Sequence, residues 1–216
     1  MRGFLVSLEG GDGSGKTTQA ARLAQALEAE GLPVVAVREP GGTRLGEAVR
    51  QIVLDVGHDD LAAWAEANLY TAARAQLLRE VILPALARGK LVVTDRFADS
   101  TLAYQGAGRG LEMAVLGMMQ AVLKVRPDLT FLLDIEPEAG FARQAGTAGH
   151  VPDRMEMEDL VFHRRVRQGY LDLARGDPER YHVVDAAQPA AAVAAELLRV
   201  TMDRANRGPR GSWSAG

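Results

Sequence analysis

Residues Gly10-Gly11-Asp12-Gly13-Ser14-Gly15-Lys16-Thr17 satisfy the pattern G-x-x-x-x-G-K-[ST] in full, a pattern with a defined chemistry. Its glycines let the backbone turn so that successive N–H groups converge on one anion. A helix opening near Ser14 adds its positive end at the same point. Lys16 then reaches the β- and γ-phosphates of a nucleotide, and the Thr17 hydroxyl takes a place beside the accompanying Mg²⁺. Gly10 to Thr18 is therefore the expected ATP-binding stretch. The plain alternative is a glycine-rich turn that binds nothing, but here a predicted buried strand enters the loop and a predicted helix leaves it.

The loop alone leaves the reaction open. A GTPase needs a DxxG switch and an NKxD base reader, and the sequence has neither. A ParA-type ATPase carries a second lysine early in the loop, where Gly11 and Asp12 stand instead. What remains is a kinase of small molecules, provided that something grips the acceptor. An acceptor phosphate needs cations converging from several elements, because one surface arginine gains little against water. Arg38 ends the expected second strand, in Arg38-Glu39-Pro40-Gly41-Gly42-Thr43, and Arg96 follows the third, in Asp95-Arg96-Phe97. Strand ends are where an α/β sheet places its ligands. Arg74 lies one helical turn after Tyr70, on the same helix face. Any one of these arginines reads as a solvated charge; two at strand ends beside a phosphate loop read as a site. Asp95 is equally placed to act as an acid on the magnesium, so Thr17 and Asp95 are the expected metal-side residues.

At this point the chain resembles the thymidylate kinase family. The pieces that match are Leu8-Glu9-Gly10 before the loop, Arg38 to Thr43, Ala73-Arg74, Asp95-Arg96-Phe97, Ser100-Thr101, Ala103-Tyr104-Gln105-Gly106 and Arg109-Gly110. Arg126-Pro127-Asp128-Leu129, Leu133-Asp134 and Asp153-Arg154 continue it in the same order, from Met1 to about Met202. The resemblance implies ATP-dependent phosphorylation of dTMP to dTDP in deoxynucleotide (dTTP) biosynthesis. It implies that Arg38, Arg74 and Arg96 hold the monophosphate and base, with Arg74 toward a thymine carbonyl. Tyr70 would lie against the thymine face, with ordinary core packing as the alternative. Ser100 and Thr101 would border the base, Thr101 standing where family members often have asparagine. Tyr104 would crowd the ribose 2′ position with Gln105 beside it. Asp12 would approach the 3′-OH or, alternatively, help hold Mg²⁺, and Glu9 would support the site from beneath. Backbone near Ala186-Ala187-Gln188-Pro189 would border the adenine. The family forms homodimers, and the apolar segment Leu61 to Leu86 either supplies that face or is buried within the protomer.

The chain departs from the family pattern at the source of transition-state charge. Members place a catalytic arginine directly after the position of Asp12, or in an arginine-rich lid. Gly13 fills the first place, and the lid from Gln144 to Pro152 contains no arginine. Arg143 before the lid and Arg154 after it are the candidates. Arg154 is the expected one, since Asp153-Arg154 is read as opening a helix that hinges with the lid. The plain alternative for Arg154 is an ion pair with a neighbour such as Asp153 or Glu158.

Positioning these residues requires an alternation of strands and helices, and the sequence supplies it. Short apolar runs predict strands over 4–8, 33–37, 91–94, 129–134 and 181–184. Amphipathic stretches predict helices over 14–30, 44–54, 62–88 (bent before Pro84), 112–125, 137 to near 146, 157–175 and 189–202. The expectation is an α/β chain: a three-layer α/β/α P-loop NTPase fold with a five-stranded parallel sheet. One kinase domain spans 1–202 with a short mobile lid at about 144–155, and the glycine- and arginine-rich tail 203–216, with Trp213, is expected to be disordered. The composition agrees: 216 residues, 47% hydrophobic and 25% charged, suit one domain with a substantial core. The absence of cysteine excludes disulfides and thiolate chemistry. A net charge of -3 argues against a general nucleic-acid binder. No run approaches the ~18 apolar residues of a membrane span, and no signal peptide is recognisable, so no membrane partner and a cytoplasmic location are expected. Two competing readings stay open: a kinase of another nucleotide or nucleoside, and an ATP-driven switch that binds a protein.

Overall fold

The computed structural model describes residues 3–207. Strands β1 (Phe4–Glu9), β2 (Val34–Arg38), β3 (Leu91–Asp95), β4 (Leu129–Asp134) and β5 (Tyr181–Asp185) form one parallel sheet in the order β2-β3-β1-β4-β5. The helices are α1 (Lys16–Ala29), α2 (Arg44–Leu54), α3 (Ala63–Leu77), α4 (Leu83–Ala87), α5 (Ala98–Thr101), α6 (Met113–Ala121), α7 (Pro137–Ala145), α8 (Leu160–Gly176) and α9 (Ala190–Asn206). All six residues of β1 are buried, as a strand covered on both faces must be. Successive side chains on a strand point to opposite faces, and the core divides accordingly. Phe4, Val6 and Leu8 pack with Leu23 and Leu27 of α1 and Leu197 of α9, while Leu5 packs with Leu77, Ile82 and Leu86.

Strand register places the candidate residues. Leu8 of β1 lies opposite Asp95 of β3, and Asp95 lies opposite Arg38 of β2. The carboxyl ends of three adjacent strands therefore deliver Glu9, Arg38, Asp95 and Arg96 to one edge, where the phosphate loop leaves β1. Two helices near that edge start at side-chain caps: Thr43 Oγ1 accepts from the Gly46 N–H at 2.9 Å, and Asp159 from the Phe162 N–H at 2.7 Å, each satisfying an otherwise orphaned donor.

Beyond shifts of one or two residues at element ends, the elements differ from expectation in five places. Helix α6 stops at Ala121, short of the expected 125, and Lys124 beyond it turns to φ 52°. The segment over 62–88 is helical but divided, α3 passing through a π-helical turn at Leu78–Ile82 into α4. Pro84 has no N–H and its ring excludes the carbonyl four residues earlier; a widened turn absorbs both effects. Residues 98–108, read only as a motif, are also helical, α5 running into a second π-helical turn at Leu102–Gly108. Gly106 and Gly108 hide that helix from propensity, yet close packing requires them. A Cβ at Gly108 would lie 2.6 Å from the Phe162 ring, and one at Gly106 2.3 Å from Met113 Sδ. Helix α8 starts at Leu160 rather than 157, because Asp159 caps it there. Helix α9 continues to Asn206, so 203–206 is ordered helix and not the start of a disordered tail. The remaining expected tail at 208–216, with Trp213, lies outside the described residues.

Candidate active site

The phosphate loop has the backbone its glycines permit. Gly10, Gly13 and Gly15 have φ of 142°, 71° and 88°, a range that penalises any side chain. Gly13 also touches α7 backbone to backbone: a Cβ on Gly13 would stand 2.1 Å from the Gly140 carbonyl oxygen, and one on Gly140 2.3 Å from that of Asp12. The Lys16 ammonium folds back into the loop, donating to the Gly11 carbonyl at 2.7 Å and the Ser14 hydroxyl at 3.2 Å. Burial, reinforced by the nearby Arg96 charge, pulls its pKa down to about 8, against the attraction of Asp12, Asp95 and Glu9. Thr17 Oγ1 donates to Asp95 Oδ2 at 2.6 Å. This puts a hydroxyl and a carboxylate side by side at the loop's exit. Among the described residues no group of three or more His, Cys, Asp or Glu side chains forms a metal cage. One hydroxyl and one carboxylate are a fitting protein share for Mg²⁺, which keeps most of its coordination for water and phosphate oxygens.

Arg96 ties this loop to the acceptor side. Its backbone sits at φ 71°, a strained conformation for a non-glycine residue, stabilised by its N–H donating to the Leu8 carbonyl at 3.0 Å. From there the guanidinium pairs with Asp12 at 2.6 Å, donates to the Tyr104 hydroxyl at 3.1 Å and lies over the Tyr104 ring, 4.8 Å from its centroid. Tyr104 donates in turn to the other Asp12 oxygen at 2.8 Å. Burial works to raise the Asp12 pKa, but Arg96, Lys16 and the Tyr104 hydroxyl outweigh it and hold the carboxyl below its usual range. Beneath them Glu9, fully buried, accepts from the Phe97 N–H at 2.7 Å and from the Ser100 hydroxyl at 2.6 Å. It also accepts from the Tyr170 hydroxyl at 3.1 Å. Burial raises its pKa to about 8, with Asp99 adding to the effect and its hydrogen bonds opposing it.

Two cavities meet at the loop. One, of about 520 Å³, brings together Asp12, Lys16, Thr17, Arg38, Tyr70, Arg74, Asp95, Arg96, Ser100, Thr101, Tyr104 and Gln105. Every expected acceptor and metal residue thus borders one space. The other, of about 600 Å³, is lined by Gly13, Ser14, Gly15, Thr18, Arg143 and the stretch Ala186 to Ala190. Gly13, Gly15 and Thr18 border both. Within the first cavity, Arg74 is buried and held on four of its five N–H donors. It pairs with Glu39 at 2.6 Å and donates to Gln120 at 2.6 Å, the Phe97 carbonyl at 3.0 Å and the Thr101 hydroxyl at 3.1 Å. Gln105 is fixed by Glu66 at 2.7 Å. Arg38, half exposed, makes a two-pronged contact with Glu47 at 2.9 and 3.1 Å.

The lid arginines are a correction. Asp153-Arg154 does not open a helix: Asp153 Oδ1 accepts from the N–H groups of Met155 and Glu156 and closes a turn. Arg154 points inward, buried, donating to the Val53 carbonyl at 2.9 Å and to the Glu66 carboxylate. Its partner is neither Asp153 nor Glu158, and its guanidinium is not free to serve a lid. Arg143 is likewise engaged, with the Ala186 carbonyl at 2.8 Å and the Ala187 carbonyl at 3.3 Å. Sequence reading missed Glu66, which collects Gln105, Arg109 and Arg154. It also missed Tyr170 beneath Arg96, and Arg50, which lines the acceptor cavity. Each stands singly on an amphipathic helix, and a single residue carries no spacing signal.

The comparisons with known proteins agree with this geometry. The profile of the thymidylate kinase family matches residues 8–197. A thymidylate kinase from Deinococcus radiodurans is 49% identical over 205 residues, covering 94% of this chain and 98% of that protein. One from Pelotomaculum thermopropionicum is 49% identical over 201 residues, covering 92% and 93%. The crystal structure of the thymidylate kinase from Ehrlichia chaffeensis superposes with a TM-score of 0.75 at 33% identity, over 93% of this chain and 99% of that one. A phosphate loop between two cavities, an arginine-lined acceptor side and near-complete coverage by these relatives lead to one conclusion: the chain belongs to the thymidylate kinase family.

Proposed function

We propose that the chain transfers the γ-phosphoryl group of ATP, bound with Mg²⁺, to the phosphate of dTMP, giving dTDP for dTTP synthesis. The observation that carries this reading is the pair of cavities sharing the phosphate loop. A donor on one side and an acceptor on the other meet across Gly13, Gly15 and Thr18 of the loop, beside Lys16, with Gln144 and Thr147 bordering both spaces from the other side. Lys16 and the loop N–H groups hold the donor phosphates. Thr17 and Asp95 would hold Mg²⁺, which when bound neutralises charge on the β- and γ-phosphate oxygens. Arg96 holds the acceptor phosphate in line, and no strong general base is needed, because a phosphate dianion is already nucleophilic near neutral pH. Arg38 joins it by leaving Glu47, an exposed pair that contributes only about 0–1 kcal/mol. Asp12, kept ionised by Arg96, accepts from the sugar 3′-OH, and Tyr104 beside it crowds the 2′ position. Tyr70 and Arg74 border the base, Arg74 with one donor left over for a carbonyl. Gln105, Ser100 and Thr101 complete that wall.

Two finer points belong to the same proposal. The chain works as a homodimer: Leu77, Leu78, Ile82 and Leu86 are core residues, so most of the apolar stripe over 61–86 stays inside the protomer. Ile52 of α2, Trp64 of α3 and Met118 of α6 are left exposed and supply the shared face. The location is cytoplasmic, since nucleotides are too highly charged to cross a bilayer and their kinase works where they are made. Transfer to dTMP assayed with and without chelation of Mg²⁺ tests the metal, and an undiminished rate under chelation refutes it. Sedimentation tests the dimer, and a monomer at assay concentration refutes it.

A further inference from the structure

The charge that builds up on a transferring phosphoryl group must be met by cations on more than one side. On the loop side Lys16 does this. The loop carries no second cation: Gly10-Gly11-Asp12-Gly13-Ser14-Gly15 precedes Lys16, and a side chain at 13 would begin 2.1 Å from the Gly140 carbonyl oxygen. Arg143 is committed to the Ala186 and Ala187 carbonyls, and Arg154 is buried against Glu66. The lid segment 144–152 contains no lysine or arginine. It does contain His150, which lines the same cavity as Lys16 and Thr17.

His150 is also held in place. Its Nε2 lies 3.1 Å from Glu156 Oε2. The same carboxylate accepts from the Asp153 N–H at 3.1 Å and, through its other oxygen, from the Gln144 side chain. One glutamate thus staples the start, the tip and the end of the lid, and it presents the imidazole to the cavity partly buried. We infer that His150, as an imidazolium, is the cation that the lid brings to the γ-phosphate, in the place that an arginine would fill. The inference rests on the kinase reading above and names the residue that completes its charge. The ionisable groups facing the same space are Asp153 and Glu156 at the lid's end, Asp12 and Lys16 on the loop, Asp95 and Arg96 at the end of β3, Arg38 and Glu39 at the end of β2, Arg50 on α2, Tyr70 and Arg74 on α3, and Tyr104 after α5. Binding of a nucleotide tetra-anion adds negative charge among them, which attracts a cationic ring. Histidine changes charge between about pH 5 and 8, so a lid of this kind gives a rate that is supported at the acid end and fades toward the alkaline end. An arginine lid has no such dependence.

The full chain, His150→Gln and His150→Arg are compared for kcat at saturating Mg²⁺, ATP and dTMP across that pH range. Titration of the substrates and of Lys16 is common to all three and cancels in the ratios. His150→Gln, which keeps a neutral donor for Glu156, lowers kcat at about pH 6 by on the order of 10²-fold, the loss typical of one charge-stabilising donor. The wild-type rate divided by that of His150→Arg falls as pH rises. A His150→Gln kcat within about twofold of wild type, or a flat wild-type to His150→Arg ratio, overturns the inference. A second reading separates it from the choice of acceptor: calorimetric binding of ATP and ADP, without dTMP. Because His150 meets the γ-phosphate alone, His150→Gln loses preference for ATP over ADP at about pH 6 and changes ADP affinity little. An inactive wild type toward dTMP defeats the acceptor reading and leaves this binding arm to decide for or against His150.

Discussion

Arg154 separates a structural from a catalytic arginine, and the structure sets the size of the effect. The change is Arg154→Met, which keeps the apolar stem and removes the guanidinium. Two things are lost. One is the buried, charge-assisted contact with Glu66, of a kind contributing about 1.5–3 kcal/mol, and the other is the hydrogen bond that satisfies the buried Val53 carbonyl, about 1 kcal/mol. Breaking a buried ion pair costs about 3–5 kcal/mol when the survivor is left alone. Glu66 is not left alone, since Arg109 at 3.2 Å and Gln105 at 2.7 Å remain on it. The expected loss is therefore about 3 kcal/mol, which for a chain of this size lowers Tm by about 6–12 °C. Glu66→Gln and the double variant close a cycle in which the two effects are clearly non-additive. The assays are thermal unfolding, and kcat at saturating substrates well below the lowered Tm, where kcat stays within about threefold of wild type. An unchanged Tm together with a kcat lower by ~10³-fold, the scale of a transition-state arginine, would refute the structural role and return Arg154 to the reaction.

The other predictions concern the loop and the sugar. Lys16→Ala lowers the transfer rate by several orders of magnitude, at least ~10²-fold, while circular dichroism shows an intact fold; a variant keeping more than about a tenth of the rate contradicts the assignment. Lys16, with its pKa drawn down to about 8, loses its charge as pH rises through that value, so kcat/KM for ATP is steady below it and declines above it; a profile flat beyond about pH 9 removes Lys16 as the free enzyme's phosphate-binding cation. If the Tyr104 ring excludes a 2′-hydroxyl, dUMP is the better acceptor than UMP by about 1–3 kcal/mol in kcat/KM, and Tyr104→Ala narrows that gap; an unchanged ratio in the folded variant moves the discrimination elsewhere.

The sequence displayed the parts of this site that repeat or punctuate. Glycine at 10, 13 and 15 followed by Lys16 announces a phosphate loop because the backbone conformations themselves demand glycine. The central strands β1, β3 and β4 showed as short apolar runs because burial on both faces leaves polar residues few places, and the edge strands β2 and β5 showed as valine-containing runs of the same length. From these, the strand-end positions of Arg38, Asp95 and Arg96 followed, and the register confirms that they share an edge. What stayed hidden depends on contacts between distant elements. Arg154 reads locally as a lid residue, and only Glu66, eighty-eight positions earlier, makes it a core one. The helix over 98–108 was concealed by glycines whose reason, the approach of Phe162 and Met113, lies on other elements. Gly13 shows both sides: its φ is legible from the motif, but its contact with Gly140, which closes the position to any side chain, is not.

ADP formation from ATP with dTMP, dUMP, UMP, dCMP and AMP in turn, and with no acceptor at all, tests the choice of acceptor most directly. A dTMP kinase turns over fastest with dTMP, faster with dUMP than with UMP, and is nearly silent without an acceptor. Steady ATP hydrolysis with no acceptor present, or a clear preference for AMP or UMP, would contradict that reading.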